Sequence, residues 1–226
     1  MAKPALIELV NAALVRIGQE PIVSLDNNEA VSSTVTTVRA TVNITKRDML
    51  RSNDWNCARL TAKLTQVTDK KGMGWDYVYQ LPTSPECLRV VQVSIDGGET
   101  YIDCDEYYNH NKGPRESLFD LEEDFLLSNS DSVWIKYTAD IDPAKFDASF
   151  ASAFVAQLAA DLAYALPAST TLAEYLQRVA RQKLRSARST NARERNRLLP
   201  EGDVIGIRYG YGERSLRVDM SDELGE

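Results

Sequence analysis

The first fifty residues show two helical patterns of apolar positions, separated by a glycine and an extended corner. Apolar side chains recur at intervals of three and four over residues 4–17, which predicts an amphipathic helix there. Gly18 favours the left-handed backbone that ends a helix. A second helix is predicted from about residue 28 or 29 to residue 50. Its middle is rich in β-branched residues, which favour strands, but its apolar positions keep a helical period and therefore predict a helix.

Between residues 55 and 142 the pattern changes to alternating, β-rich runs separated by turn signals. The clearest hairpin signal is Asp96-Gly97-Gly98, which stands between two such runs. The pattern predicts an antiparallel sheet or a small barrel-like module of about five to seven strands. The candidate strands are residues 58–65, 75–81, 88–95, 100–102, 124–127 and 133–137.

Helical periodicity returns after Asp142-Pro143, and Pro167 ends it. A large apolar side chain recurs at every fourth position of this third helix: Phe146, Phe150, Phe154, Leu158 and Leu162. Alanines beside this stripe leave room for another helix to approach closely. Ser169 or Thr170 is the predicted N-cap of a fourth helix, which continues to about Arg197.

These segments predict an α+β fold in which a β module interrupts a helical bundle. Residues 1–54 form the first half of a bundle of about four helices, and residues 143–199 form the second half. Residues 55–142 are the inserted antiparallel β module. Residues 200–226 are glycine-punctuated but too apolar for a solvated tail, which favours an extended C-terminal arm that orders against a neighbouring molecule.

Composition places the chain among ordinary globular proteins. Its 226 residues are enough to bury a core, with 43% hydrophobic and 26% charged residues. No apolar run approaches the roughly 18 residues of a membrane span, so we expect no membrane insertion. Residues 1–4 lack a separate apolar signal region, and a protein made in the cytoplasm is the default expectation.

Residues suited to catalysis or metal binding are few. The three cysteines have no short spacing, which argues against a disulfide framework and against a cysteine zinc site. The single histidine, His110, lies in a polar turn without local partners for acid–base chemistry. Gly97-Gly98 lacks the lysine and the helix of a phosphate-binding loop. The sequence therefore singles out no catalytic, metal-binding or cofactor-binding residues, and a catalytic role for two carboxylates of the β module is weakly supported because no paired motif identifies them.

The formal net charge of −7 is unevenly distributed along the chain. Residues 96–124 contain ten carboxylates and two basic side chains, whereas residues 178–197 contain eight Lys or Arg and one glutamate. One surface is therefore expected to be acidic and another basic. Such a separation favours oriented contacts between copies, or with a partner, over general nucleic-acid binding.

A string in the N-terminal region carries a resemblance to a known family. It follows the pattern hydrophobic–N-x-x-L-x-x-I-G-x-x-P-I/V-x-S-L, and then, after a helix, R-S/G-x-x-W-N/T. The matching positions are Leu9, Asn11, Leu14, Ile17, Gly18, Pro21, Val23, Ser24, Leu25, Arg51, Trp55 and Asn56. A weaker similarity covers about residues 142–195. On these residues the chain resembles the tail tubular protein A family, the ring-forming adaptors at the head–tail junction of short-tailed bacteriophages.

The resemblance implies a structural component of the virion, made in the host cytoplasm, rather than an enzyme. Many copies, typically twelve, would form a ring between the portal protein and the tail nozzle protein. Duplex DNA would pass through the ring without sequence-specific binding. A subunit or portal interface is expected at Arg181, Arg185, Arg188, Arg195, Ile205, Ile207, Tyr209 and Tyr211. An acidic channel or partner surface is expected at Asp103, Asp105, Glu106, Glu122 and Glu123.

The basic fourth helix leaves a second hypothesis open, in which it binds nucleic acid through its arginines. A conduit that held DNA phosphates tightly would impede the passage of DNA, which favours contacts between subunits instead. The acidic residues favour a surface that repels phosphates over a cation site, because Asp103-x-Asp105 does not continue into a calcium-loop pattern.

Overall fold

The computed structural model describes residues 5–25, 33–70, 72, 74–105, 107, 118–166 and 169–194. Within these residues the chain forms four α-helices and two antiparallel sheets of four strands each. The predicted α+β class is therefore confirmed. The arm predicted over residues 200–226 lies outside the described residues, and so does His110.

The two N-terminal helices form where the apolar periodicity places them. Helix α1 spans Leu6–Arg16, and the Glu8 carboxylate accepts a hydrogen bond from the backbone N–H of Ala5 at its start. Gly18, with φ of +75°, follows its end. Helix α2 spans Ser33–Arg51, which confirms a helix over the β-branched stretch. The predicted start of α2 at residue 28 or 29 lies outside the described residues.

The two C-terminal helices follow a short 3-10 turn, Pro143–Lys145. Helix α3 spans Ala148–Ala165, and the Asp147 side chain caps it by accepting the Phe150 N–H at 2.8 Å. Helix α4 spans Thr170–Glu194. Helix α3 packs against α1, α2 and α4, so it lies at the centre of the helical layer.

Helix α3 corrects one expectation from the sequence. Among the described residues it is the one helix long and apolar enough, by length and composition, to cross a membrane. The expectation that no apolar run approaches that length is therefore wrong. However, 61% of this helix is buried inside the fold. Its apolar character is explained by the three helices that surround it.

The β-rich segment forms two sheets instead of the single sheet or barrel-like module predicted. One sheet has the strand order β1-β8-β4-β5 and the other has the order β2-β3-β7-β6. Two of the eight strands were not predicted separately. Strand β2 is only two residues long, whereas β6 alternates apolar with acidic residues, a strand signal that was overlooked. The strands are β1 Arg59–Lys63, β2 Thr65–Gln66, β3 Tyr77–Gln80, β4 Cys87–Ser94, β5 Ile102–Asp103, β6 Phe119–Glu122, β7 Phe125–Ser128 and β8 Trp134–Ala139.

The clearest turn signal in the sequence agrees with a turn of the sheets. Strands β4 and β5 pair antiparallel across the predicted hairpin at Asp96-Gly97-Gly98. Gly97 and Gly98 have φ of +82° and +99°, which residues with a side chain rarely adopt. Only Leu64 separates β1 from β2, so a single stretch of chain supplies an edge strand to each sheet.

The helices and sheets share a continuous hydrophobic core. Buried side chains of the helices and of both sheets belong to the same cluster, and α2 contacts β4 and β8. Two ion pairs fix α2 beside the sheets: Lys46 Nζ lies 2.7 Å from Asp140 Oδ1, and Arg47 Nη1 lies 2.8 Å from Glu86 Oε2. The hydrogen bond from Arg47 lowers the pKa of Glu86. The domain boundaries stated from the sequence stay predictions.

Candidate interaction surface

Helix α4 buries a narrow stripe and leaves most of its circumference in solvent. Its start agrees with the predicted cap, because the Ser169 hydroxyl accepts the Leu172 N–H at 3.2 Å. The buried positions recur at intervals of three, four and seven, and three of them are alanines, which lets α4 approach α3 closely. These positions are Ala173, Leu176, Ala180, Ala187 and Asn191.

A row of four arginines runs along one exposed flank of α4. We call Arg178, Arg181, Arg185 and Arg188 the arginine row, because intervals of three, four and three keep them on the same side of the helix. Ten residues of helix correspond to about 15 Å along the axis. All four side chains are exposed. Lys183 and Arg193 are exposed too, but the helical period places them on the other flank.

The arginine row lacks neutralising partners in the described part of the chain. No carboxylate there lies within 4 Å of any of its four guanidinium groups. Its one described side-chain hydrogen bond joins Arg188 Nη2 to the Ser52 hydroxyl at 3.3 Å. Like charges at these spacings repel by roughly 0.2–0.5 kcal/mol per pair in a helix. An anionic surface on another molecule would relieve that repulsion.

A buried asparagine fixes the end of α4 to the loop after α2. Asn191 is 3% exposed, and its side-chain amide donates to the carbonyl of Asp54 at 2.8 Å. Its side-chain oxygen accepts the Asn56 backbone N–H at 2.8 Å. The Asn56 side chain in turn donates to the Asn191 carbonyl at 3.1 Å. These three bonds hold the C-terminal part of α4, and with it the arginine row, against the N-terminal half of the chain.

The N-terminal motif residues serve the fold in the structure. The Asn11 side-chain amide donates to the Ile22 carbonyl at 2.9 Å, and its oxygen accepts the Ile22 N–H at 2.9 Å. The extended corner is thereby tied back to α1. Trp55 is fully buried, and its indole N–H donates to the Met49 carbonyl at 2.8 Å. Arg51 Nη1 donates to the Leu88 carbonyl at 2.9 Å, which joins α2 to β4.

Two of the predicted acidic residues lie at the tip of the β6–β7 hairpin. Glu122 ends β6, and Glu123 begins a two-residue turn with φ of +51°, uncommon for a residue other than glycine. Glu122, Glu123 and Asp124 are all exposed. No lysine or arginine nitrogen in the described residues lies within 4 Å of these three carboxylates. We call these three residues the acidic tip.

The other predicted acidic residues lie outside the acidic tip. Asp103 is half-buried in β5, and its side chain accepts the Asp105 N–H at 3.0 Å. Asp105 is exposed and lies 3.6 Å from Arg89. Asp105 and Glu123 line a common cavity of about 410 Å3, which three arginines also line. The structure therefore places Asp105, together with Glu123 of the acidic tip, in a surface of mixed charge. Glu106 lies outside the described residues, as do Arg195, Ile205, Ile207, Tyr209 and Tyr211.

The described residues offer little chemistry for catalysis or metal binding. Burial raises the pKa of Cys57 to about 11, and those of Cys87 and Cys104 to about 12, which keeps all three free thiols protonated at neutral pH. Among the described residues, no three His, Cys, Asp or Glu side chains are grouped so as to hold a metal ion.

Sequence reasoning found the arginines but missed the residue that positions them. Asn191 continues the buried stripe of α4, four residues after Ala187. A polar residue at an apolar position of a helical period is the signal that would have identified it. Comparison with known proteins adds no assignment: no protein-family model matches the chain, and no curated protein matches its sequence.

Proposed function

We propose that this protein is a structural head-to-tail adaptor of a short-tailed bacteriophage or prophage. In this proposal many copies, typically twelve, form a ring between the portal protein and the tail nozzle protein in the virion. Duplex DNA passes through the ring, and the protein catalyses no reaction. The proposal begins from the resemblance to the tail tubular protein A family on residues 6–56.

The arginine row is the observation that carries the proposal. Four exposed guanidinium groups without a carboxylate within 4 Å on the described chain are suited to an anionic partner. The same chain carries the acidic tip, which lacks cationic partners within the same distance among the described residues. A contact between two different surfaces of identical chains is heterologous, and such contacts close into rings when the rotation allows. We assign the acidic tip of the adjacent subunit as the partner of the arginine row.

The helical layer supplies the rigidity that a ring subunit needs. Helix α3 contacts α1 and α2 from the N-terminal half and α4 from the C-terminal half, which supports a bundle of four helices acting as one wedge. The Asn191 bonds then hold the arginine row in a fixed position relative to that wedge. In this proposal the arm, residues 200–226, extends from the wedge toward the portal or a neighbouring subunit.

The proposal is tested by measuring mass with and without portal protein. Sedimentation velocity of the full chain, alone and with its portal, is expected to give a ring in at least one of the two conditions. Arg181→Glu with Arg185→Glu is expected to weaken ring formation at least tenfold, because two row positions become repulsive. The matched control is Lys183→Glu with Arg193→Glu, which changes the net charge equally on the other flank and is expected to assemble normally.

A charge swap identifies the partner of the arginine row. Adding Glu122→Lys and Glu123→Lys to the Arg181→Glu, Arg185→Glu variant is expected to restore assembly, because both surfaces are then inverted together. Loss of assembly in both the row variant and the control variant would show that assembly depends on net charge and not on the position of the arginine row. A monomer under all conditions, with portal present, would contradict the adaptor proposal.

The arginine row also favours a second candidate function, a nucleic-acid-binding module. Four phosphate contacts would make the affinity for duplex DNA fall roughly 10²-fold between about 50 and 200 mM salt. Fluorescence anisotropy with a labelled duplex measures this dependence directly. A ring without measurable duplex affinity supports the adaptor, whereas a monomer with steep salt-dependent affinity supports the second candidate.

A further inference from the structure

Among the described residues, strand β1 presents an unpaired edge with a regular set of backbone groups that bond to no other strand. It pairs with β8 on one side and stands at the end of its sheet. Two hydrogen bonds set the alternation, from Ala139 N to Ala58 O and from Leu64 N to Val133 O. The even-numbered residues of this segment therefore bond to β8 through their backbone groups. In an antiparallel pair these residues alternate, so the backbone groups of Arg59, Thr61 and Lys63 point away from β8. No hydrogen bond to these outward groups occurs in the described part of the chain.

The apolar face of the first sheet reaches this edge and ends there without cover. Leu60, Ala62 and Leu64 lie opposite Tyr137, Ile135 and Val133 of the segment that contains β8, so they share one face. Leu64 is buried, but Leu60 is 37% exposed at the outer position. A cavity of about 330 Å3 lies beside Ala62, Leu64 and Tyr137. A further strand with apolar side chains on this face would cover Leu60.

The arm contains a segment with the matching alternation. Residues 205–211 read Ile-Gly-Ile-Arg-Tyr-Gly-Tyr, with a large apolar or aromatic side chain at every second position. Period-two alternation of this kind is the pattern of a strand that buries one face. The glycines and Arg208 fall on the other face. Ten residues separate Glu194 from Ile205 and can span at most about 35 Å.

We propose that residues 205–211 of one copy add a strand to the β1 edge of a second copy, with Ile205, Ile207, Tyr209 and Tyr211 beside Leu60. Backbone hydrogen bonds to Arg59, Thr61 and Lys63 supply affinity, and the alternating side chains fix the register. The choice of a second copy rests on the proposed ring, because an edge on one subunit and a strand from another form a heterologous contact. The arm is then a connection between subunits.

The edge is tested in the full-length chain by hydrogen exchange at two protein concentrations. Above the concentration at which sedimentation shows association, the amides of Arg59, Thr61 and Lys63 and alternate amides of residues 205–211 are expected to exchange at least tenfold more slowly than in the dilute protein. Thr61→Pro removes one outward N–H and is expected to abolish the protection of residues 205–211, because proline is tolerated on an edge strand but cannot donate. Thr61→Val keeps the N–H and is expected to retain it.

A second pair of variants tests the arm without touching the folded body. Ile207→Asp places a charge on the apolar face of the added strand, whereas Arg208→Asp places the same side chain on the opposite face. We expect Ile207→Asp to weaken association at least tenfold and Arg208→Asp to leave it within about twofold. Equal effects of the two variants would overturn the proposal, and so would protection that does not depend on concentration, since that would indicate pairing within one chain.

The outcomes separate this inference from the adaptor proposal. A ring that forms with residues 205–211 fully exchanging would overturn the strand addition and leave the adaptor intact. Concentration-dependent protection in a protein that never forms a ring, even with portal protein, would support the strand addition and contradict the adaptor.

Discussion

Helices α3 and α4 are neighbours in the sequence and pack against each other, yet their compositions are opposite. Helix α3 is 61% buried, and Asp161 is its only charged residue. Helix α4 buries five of its 25 residues and carries six basic side chains against two glutamates. Burial of apolar area is the main source of stability, so substitutions in α3 are expected to have the larger effect on the free energy of unfolding. The exposed charges of α4 are expected to determine recognition.

The lengths of the two helices sharpen this difference. Helix α4 has 25 residues and α3 has 18, which makes α4 about 10 Å longer. The part of α4 beyond Ala180 buries only Ala187 and Asn191, and one of these is polar. The additional length therefore adds exposed, basic surface and little hydrophobic core. A helix that served only to cover α3 would not need it.

The largest expected effect is the removal of an aromatic ring from α3. Phe150 is fully buried, with its ring centroid 4.8 Å from that of Trp55 and 4.6 Å from that of Phe146. Phe150→Ala is expected to lower the free energy of unfolding by roughly 3–5 kcal/mol, because it removes apolar contacts and leaves a cavity. Urea unfolding followed by circular dichroism measures the change. Tyr164→Ala, at a 66% exposed position of the same helix, is the control and should cost less than about 0.5 kcal/mol.

A loss below about 1 kcal/mol for Phe150→Ala would contradict the assignment of α3 as the centre of the core. A small loss of unfolding free energy for Phe150→Ala, combined with a large loss for Tyr164→Ala, would indicate that the exposed side of α3 is buried in an assembly under the conditions of measurement.

The sequence was sufficient for the helices because their buried stripes are long and regular. The phenylalanines of α3 recur at helical spacing, and the stripe of α2 through Val38, Val42 and Met49 outweighs its β-branched composition. Thr37 and Thr41 adapt to the helix by donating their hydroxyls to the carbonyls four residues earlier. Strand β2 is too short to give a period, which is why the division into two sheets was not foreseen.

The candidate site was predictable only in part. The basic residues of α4 are evident in the sequence, and helical geometry alone aligns four of them. Their support was not predictable, because Asn191 and Asn56 are 135 residues apart and nothing local relates them. The acidic residues cluster between residues 96 and 124 of the sequence. In the fold, however, Asp103 lies in β5 of one sheet, whereas the acidic tip lies on the β6–β7 hairpin of the other sheet. Tertiary pairing decides such groupings.

An intermediate effect is expected for the residue that joins α4 to the rest of the fold. Asn191→Ala removes the donor to Asp54 O and the acceptor of the Asn56 N–H, both partly or fully buried. We expect a loss of roughly 1–3 kcal/mol in the free energy of unfolding, since buried polar groups lose their partners. Thr190→Ala, at the preceding exposed position, should change it by less than about 0.5 kcal/mol. Equal stability of Asn191→Ala and the unmodified chain would show that the end of α4 is not held by these bonds.

The smallest expected effect on the isolated subunit is the removal of one arginine from the row. Arg181 lies three residues after Arg178 and four before Arg185, so Arg181→Ala relieves two repulsive pairs and should raise the free energy of unfolding by roughly 0.4–1 kcal/mol. The gain should vanish near 1 M salt, where the screening length is about 3 Å. Urea unfolding of the monomer at low and high salt measures both quantities, with the exposed, uncharged Gln182→Ala as control. A loss above about 1 kcal/mol would mean that Arg181 stabilises its own subunit, and α4 would then resemble α3 in role.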